Sequence, residues 1–235
     1  MATGSVIPFP RDEAGELVPA QIYLQPIAAP SVLGLFGFAG ATFMVAAHMA
    51  HWYGGARTDL YLAAFAATFG GLAQFTAGMW AFKARDAMAT AMHGTWGSFW
   101  IAYGLLQLAF ITGTLTQPTG AFPALGYWFI VLAAVTWMGM FAATASNKLV
   151  AVVLGFLAAG STAAAVAELL GSEGGRIVAG YLFIVSAIVA WYTASALMLE
   201  SAFHRPILGL GMTARRRQEP TLIPGKGEPG VVRGQ

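Results

Sequence analysis

The side chains able to do chemistry in this sequence are few, neutral and set among apolar neighbours. Thr42, Gln74, Ser98, Gln107, Thr136 and Ser161 each bring one hydroxyl or amide into a hydrophobic stretch. Such a dipole can bond a neighbouring helix or offer a ligand to a polar solute. No Asp, Glu, Lys or Arg lies in the middle of these stretches; Glu168 and Glu200 sit at their ends, where they are expected to reach water. Moving an isolated carboxylate into low dielectric costs on the order of 20 kcal/mol by the Born estimate, less after relaxation. Any solute passing here must therefore be met by dipoles and water, or cross uncharged. Among histidines, His48 is the one read as lying inside a span and able to titrate near neutrality. It is either an interfacial residue bonded to a neighbouring helix or a proton relay. His51 follows at i+3, but no further ligand accompanies the pair, so no metal site is expected. Cysteine is absent, which removes disulfides, thiolate metal sites and cysteine nucleophiles. No nucleophile–base pair, triad or phosphate loop is visible. Catalytic residues and cofactors are not expected.

The elements that carry these groups must be membrane helices. The chain is 57% hydrophobic and only 9% charged, against roughly 25% charged in a soluble domain. It lacks the polar residues to cover a water-facing surface. Pro30 opens the first span, where its missing N–H costs nothing. The twenty residues from Val32 to His51 carry no Asp, Glu, Lys or Arg. At about 1.5 Å per residue they cross a bilayer core of about 30 Å. Six spans are expected: Val32–His51, Leu60–Phe82, Thr95–Ile111, Leu125–Thr144, Leu149–Leu170 and Ile177–Leu199. The third is the least defined, since the charge-free stretch runs from Ala87 to Pro118 and leaves room for a re-entrant start near Met88–Gly94. The fold class expected is all-α: a polytopic membrane protein with six transmembrane helices in a bundle around a narrow pore. Residues 1–27 read as a polar N-terminal tail without a signal peptide, 28–204 as the transmembrane domain, and 205–235 as a basic, Pro/Gly-rich, disordered tail. Ten basic residues fall on the side of the tails against Arg57 and Arg176 on the other, so both termini are expected in the cytoplasm. The net charge of +2 is not gathered on a folded domain, and no nucleic acid is expected as a partner.

Three glycine-bearing motifs give the spans their faces. Pro30, Leu33, Gly34, Leu35, Gly37 and Phe38 open span one, with Gly34, Gly37, Ala41 and His48 on one helical stripe. Gly70-Gly71-Leu72-Ala73-Gln74-Phe75-Thr76-Ala77-Gly78 lies in span two, with Gly71, Gln74, Gly78 and Ala81 on one stripe. Trp96-Gly97-Ser98-Phe99-Trp100 follows in span three, where Trp96, Trp100, Tyr103 and Gln107 share a stripe. Glycine faces let helices approach closely; aromatic stripes are packing surfaces, interfacial anchors or pore walls.

These motifs resemble the acetate uptake transporter family, which includes bacterial succinate–acetate permeases and yeast ammonia/acetate exporters. The resemblance is dense from Pro30 to Trp100 and slight after Leu157. The Gly-Gly-x-Ala-Gln-x-x-Ala-Gly pattern is complete. Departures are Ala29 for an asparagine, Val32 for a second proline, His93 for a phenylalanine and Trp96 for a tyrosine; Ala81 and Asp86 replace an acidic residue and an asparagine. The resemblance implies a central hydrophobic constriction at Phe38, Trp96 and Leu157; the polar groups Thr42, Gln74 and Thr136 and the stripe residues Trp100 and Tyr103 are expected along the pathway. It also implies a homohexamer with one pore in each protomer, set in the plasma membrane. The substrates expected are small monocarboxylates, acetate first, with succinate possible, moved with protons. A carboxylic acid with a pKa near 4 to 5 is neutral in roughly one molecule per thousand at pH 7 (compare side-chain carboxyls), so proton-linked passage suits an uncharged wall. That wall suits ammonia or urea equally, and a membrane sensor that no longer transports is the remaining alternative.

Overall fold

The computed structural model describes residues 27–55 and 57–211. Among them are six helical rods and no strand. Helix α1 is Pro30–Met49. Helix α2 is Thr58–Lys83, α3 Ala87–Ile111 and α4 Pro123–Thr144. Helix α5 is Lys148–Leu170 and α6 Glu173–Phe203. Five of them are long and apolar enough to cross a membrane. The other, α3, has 25 residues, about 37 Å at 1.5 Å each, but His93, Ser98 and Gln107 dilute its apolar character.

The rods alternate in direction. The start of α6 lies on the end of α1, where Gly180 leaves no room beyond the Ala46 carbonyl and the Ala50 amide. The end of α5 meets the start of α4, where Phe122 donates its N–H to the Glu168 carbonyl at 2.8 Å. One end of the bundle, here the proximal end, therefore holds the start of α1 and the close of α6. The distal end holds the α1–α2, α3–α4 and α5–α6 turns.

The third span begins earlier than the sequence suggests. Asp86 caps α3 by accepting the Ala89 N–H at 2.9 Å, and the helix continues unbroken through Met88–Gly94 to Ile111. The expected start at Thr95 and the re-entrant alternative are both corrected by this cap. His93 thereby falls inside a long helix, as His48 does in α1. Helix α2 has its own irregularity. Ala66–Ala73 winds as a π-helix, the wider turn found mostly in short pieces near functional sites. It brings the Phe69 carbonyl onto Gly37, where a Cβ would stand only 2.6 Å away. Residues 1–26 and 212–235, where most of the two expected tails fall, lie outside the described residues. Residues 205–211 return to the proximal end: Lys148 N–H donates to the Gly211 carbonyl at 3.2 Å, and Leu210 is buried.

Candidate functional site

A cavity of about 360 Å³ enters the bundle from the distal end. Its wall follows α1 from His51 and His48 inward to Val45 and Thr42, and α3 from Phe110 through Gln107, Tyr103 and Trp100 to Trp96. The fourteen steps of α3 from Trp96 to Phe110 make that about 21 Å deep at 1.5 Å per residue. Leu157 of α5 closes the floor beside Trp96. Phe129 of α4 and Phe183 of α6 complete the ring of helices.

The floor is aromatic and dry. Trp96 and Leu157 are each 2% exposed. Phe38 is buried to the same degree and lies one helical turn proximal to Thr42, edge-on to Trp96 with ring centroids 6.3 Å apart. Edge-to-face pairs at this separation suit the ring quadrupoles. Trp96 is held on its other side: Nε1 donates to Thr136 Oγ1 at 3.0 Å, and Thr136 Oγ1 donates to the Leu132 carbonyl at 2.6 Å. Thr136 thus lies behind the wall as the anchor of the floor indole. Ser161 is similarly turned away, bonding the Leu157 carbonyl at 2.8 Å.

Three polar atoms on the wall are buried without a partner: Thr42 Oγ1, Trp100 Nε1 and Gln107 Oε1. Buried polar atoms are bonded almost without exception, so unpaired ones on residues that line a cavity point to where a solute or water can bind. Two of these atoms carry hydrogens to donate, the chemistry a carboxylate or carbonyl oxygen requires. Tyr103 stands between Trp100 and Gln107, its ring at right angles to Trp100.

The rim carries the charge. Glu168, expected to reach water, is 8% exposed. It is clasped by Arg176, whose Nε and Nη2 donate at 2.8 and 3.1 Å. The same guanidinium reaches Glu173 at 3.3 Å and bonds the Gly120 carbonyl. His51 meets Glu173 at 2.7 Å. His48 sits at the rim, its Nδ1 3.1 Å from the Tyr53 carbonyl and its Nε2 3.6 Å from Asp59. No acidic or basic side chain lines the cavity between this rim and the floor.

The remaining singled-out residues build the scaffold. Pro30 starts α1, Leu35 is in the core, and Leu33 faces outward at 46% exposure. Gly34 receives the ring of His93, Gly71 the side chain of Ile101, and Gly78 the backbone of Gly94. Gln74 is buried with Oε1 unpaired, but it does not line the distal cavity. Ser98 is exposed and bonds the Gly94 carbonyl.

A ring of antiparallel apolar helices around a half-open cavity is an architecture suited to a membrane transporter or channel. The chain matches the GPR1/FUN34/yaaH family over residues 14–208, and it belongs to that family. It is 27% identical to Ammonia transport outward protein 2 of Saccharomyces cerevisiae, covering 77% of this chain and 64% of that one. The chain thus spans under two thirds of the yeast relative's length. It is 26% identical to the acetate transporter protein patA of Aspergillus clavatus, over 76% of each. It is 24% identical to the succinate-acetate/proton symporter SatP of Escherichia coli K12, over 79% of this chain and 96% of that one. The solved structure of the bacterial acetate channel SatP shares the fold, with a TM-score of 0.73 at 23% identity, covering 79% of this chain and all of that one.

Proposed function

We propose that the chain is a membrane passage for small carboxylic acids, the monocarboxylate acetate first and the dicarboxylate succinate as a further substrate, moved together with protons. The observation that carries this is the distal cavity: a neutral wall with three spare polar atoms above an aromatic floor. A relative named as an acetate transporter and another named as a succinate-acetate/proton symporter support the substrate class. In this reading all six helices cross the plasma membrane, with both tails in the cytoplasm, and six protomers form a ring.

In this reading each residue has a task. The Glu168–Arg176–Glu173 clasp keeps the mouth polar without presenting a free cation that would trap an anion. Thr42 and Trp100 donate to the carboxyl group, and Gln107 accepts from its proton. Phe38, Trp96 and Leu157 form the constriction, where only an acid that has shed its charge or shares it crosses cheaply. Gln74 lies beyond that point. His48 at the rim exchanges protons with distal water.

Reconstitution tests this. Proteoliposomes should take up [14C]acetate, faster as external pH falls, and should swell in acetate more than in urea. Absence of acetate uptake would overturn the reading. The uncharged wall also suits ammonia, which the yeast relative's name includes; swelling equal in both solutes would favour that second reading.

A further inference from the structure

His93 stands in α3 one turn before Trp96, on the proximal side of the floor. It is 6% exposed, and its Nδ1 has no partner. Its ring lies against α1: a Cβ on Gly34 would stand 2.5 Å from both its Cε1 and Nδ1. From α2, Gly78 closes on the backbone of His93 and Gly94. A phenylalanine or leucine would fill this seam of three helices without the cost of a buried polar nitrogen. An ionisable side chain within an apolar span marks a proton or ion path.

The charges on the helices around it lie at their ends. Helix α1 has no Asp, Glu, Lys or Arg, and its His48 is at the distal rim. Helix α2 carries Asp59 and Tyr61 distally and Lys83 proximally; α4 carries only Tyr127, distally. Asp86, the cap of α3, stands about two turns before the ring on the same helix. Lys83, Arg85 and Lys148 share that proximal end.

We propose that His93 is the proton-exchange group of the proximal half of the passage. This rests on acetate crossing at the Phe38–Trp96 floor. Once past it, the acid's O–H bond breaks as an imidazole nitrogen takes the proton, and the carboxylate leaves toward proximal water. The imidazolium then gives its proton to that water and the neutral ring is restored. Gly34 seats the ring against α1, one helical turn proximal to Phe38.

The test is the initial rate of [14C]acetate uptake into proteoliposomes between about pH 5 and about pH 8, for wild type, His93→Gln and His93→Asn. Both variants keep a polar group in the seam and lose the titration. A proton-exchange role predicts a flattened pH profile and uptake at the optimum slower by about a hundredfold or more. A merely structural role would lower the rate equally at every pH; that result, or an unchanged profile, overturns the proposal. Wild-type vesicles without acetate uptake would sink the transport reading instead. Should neither variant fold, ¹⁵N-histidine spectra of the wild type decide, with His93 identified by His48→Ala, His51→Ala and His204→Ala. A ring signal that shifts with acetate and pH is expected, and one that stays fixed overturns the role.

Discussion

Thr136→Val removes one hydroxyl and almost no volume from the wall behind the floor. Thr136 is fully buried and links α3 to α4 through the Trp96 indole at 3.0 Å. Its own proton goes to the Leu132 carbonyl, an acceptor that also serves the helix backbone, so losing that bond matters little. The indole N–H has no second acceptor. A buried donor left unpaired costs about 1–3 kcal/mol, while bonds between membrane helices average about 0.6 and reach about 1.7 kcal/mol. The expected loss of stability is therefore about 1–1.5 kcal/mol. In a Trp96→Phe background the donor is already gone, and Thr136→Val should cost only a few tenths. Reversible unfolding in mixed micelles of the four proteins closes the cycle, with a coupling of about 1 kcal/mol expected. Freed of its anchor, the indole should also admit propionate more readily relative to acetate. Additive losses, together with an unchanged acid preference, would refute the claim that Thr136 positions the floor.

Gly34→Ala should destabilise the bundle by about 1–3 kcal/mol, because its Cβ meets the His93 ring at 2.5 Å; Gly34→Ala with His93→Ala should recover most of that in the same unfolding assay. Gly97→Ala should cost at least as much with no comparable rescue, since its Cβ meets the backbone N and Cα of Phe75 at 2.5 and 2.7 Å. Glu168→Gln should cost about 1–2 kcal/mol and less at high salt, because the Arg176 side chain is 23% exposed and keeps Glu173. Trp100→Phe removes the cavity's unpaired indole donor and should raise the half-saturating acetate concentration about tenfold, with the maximal rate little changed.

The helices were legible where one local signal sufficed. Pro30 and twenty uncharged residues mark α1, and the short charged turns mark its neighbours. The start of α3 was not read, because His93 and its glycine and threonine neighbours dilute the hydrophobic signal; the cue was Asp86, a cap before a charge-free run. The π-turn at 66–73 had no local signature. It shows only in what it touches, the Phe69 carbonyl against Gly37. The glycine faces at Gly34, Gly71 and Gly78 were visible as stripes, but not what fills each of them. Glu168 looked solvated because its partner, Arg176, lies across the Gly171 turn on another helix, and pairing between helices has no periodicity. Thr136 looked like a pathway group for the same reason: its orientation toward Trp96 is set by how α3 and α4 pack.

The account stands on Phe38, Trp96 and Leu157 being where the route narrows. Phe38→Ala separates a gate from a core residue, because the two roles move stability and flux differently. Removing a ring that is 2% exposed should cost about 3–5 kcal/mol of stability. As a gate, the same change should raise the initial [14C]acetate rate per folded protein, and raise that of larger acids more. An acetate rate per folded protein that stays level or falls, with no change in size preference, would contradict it.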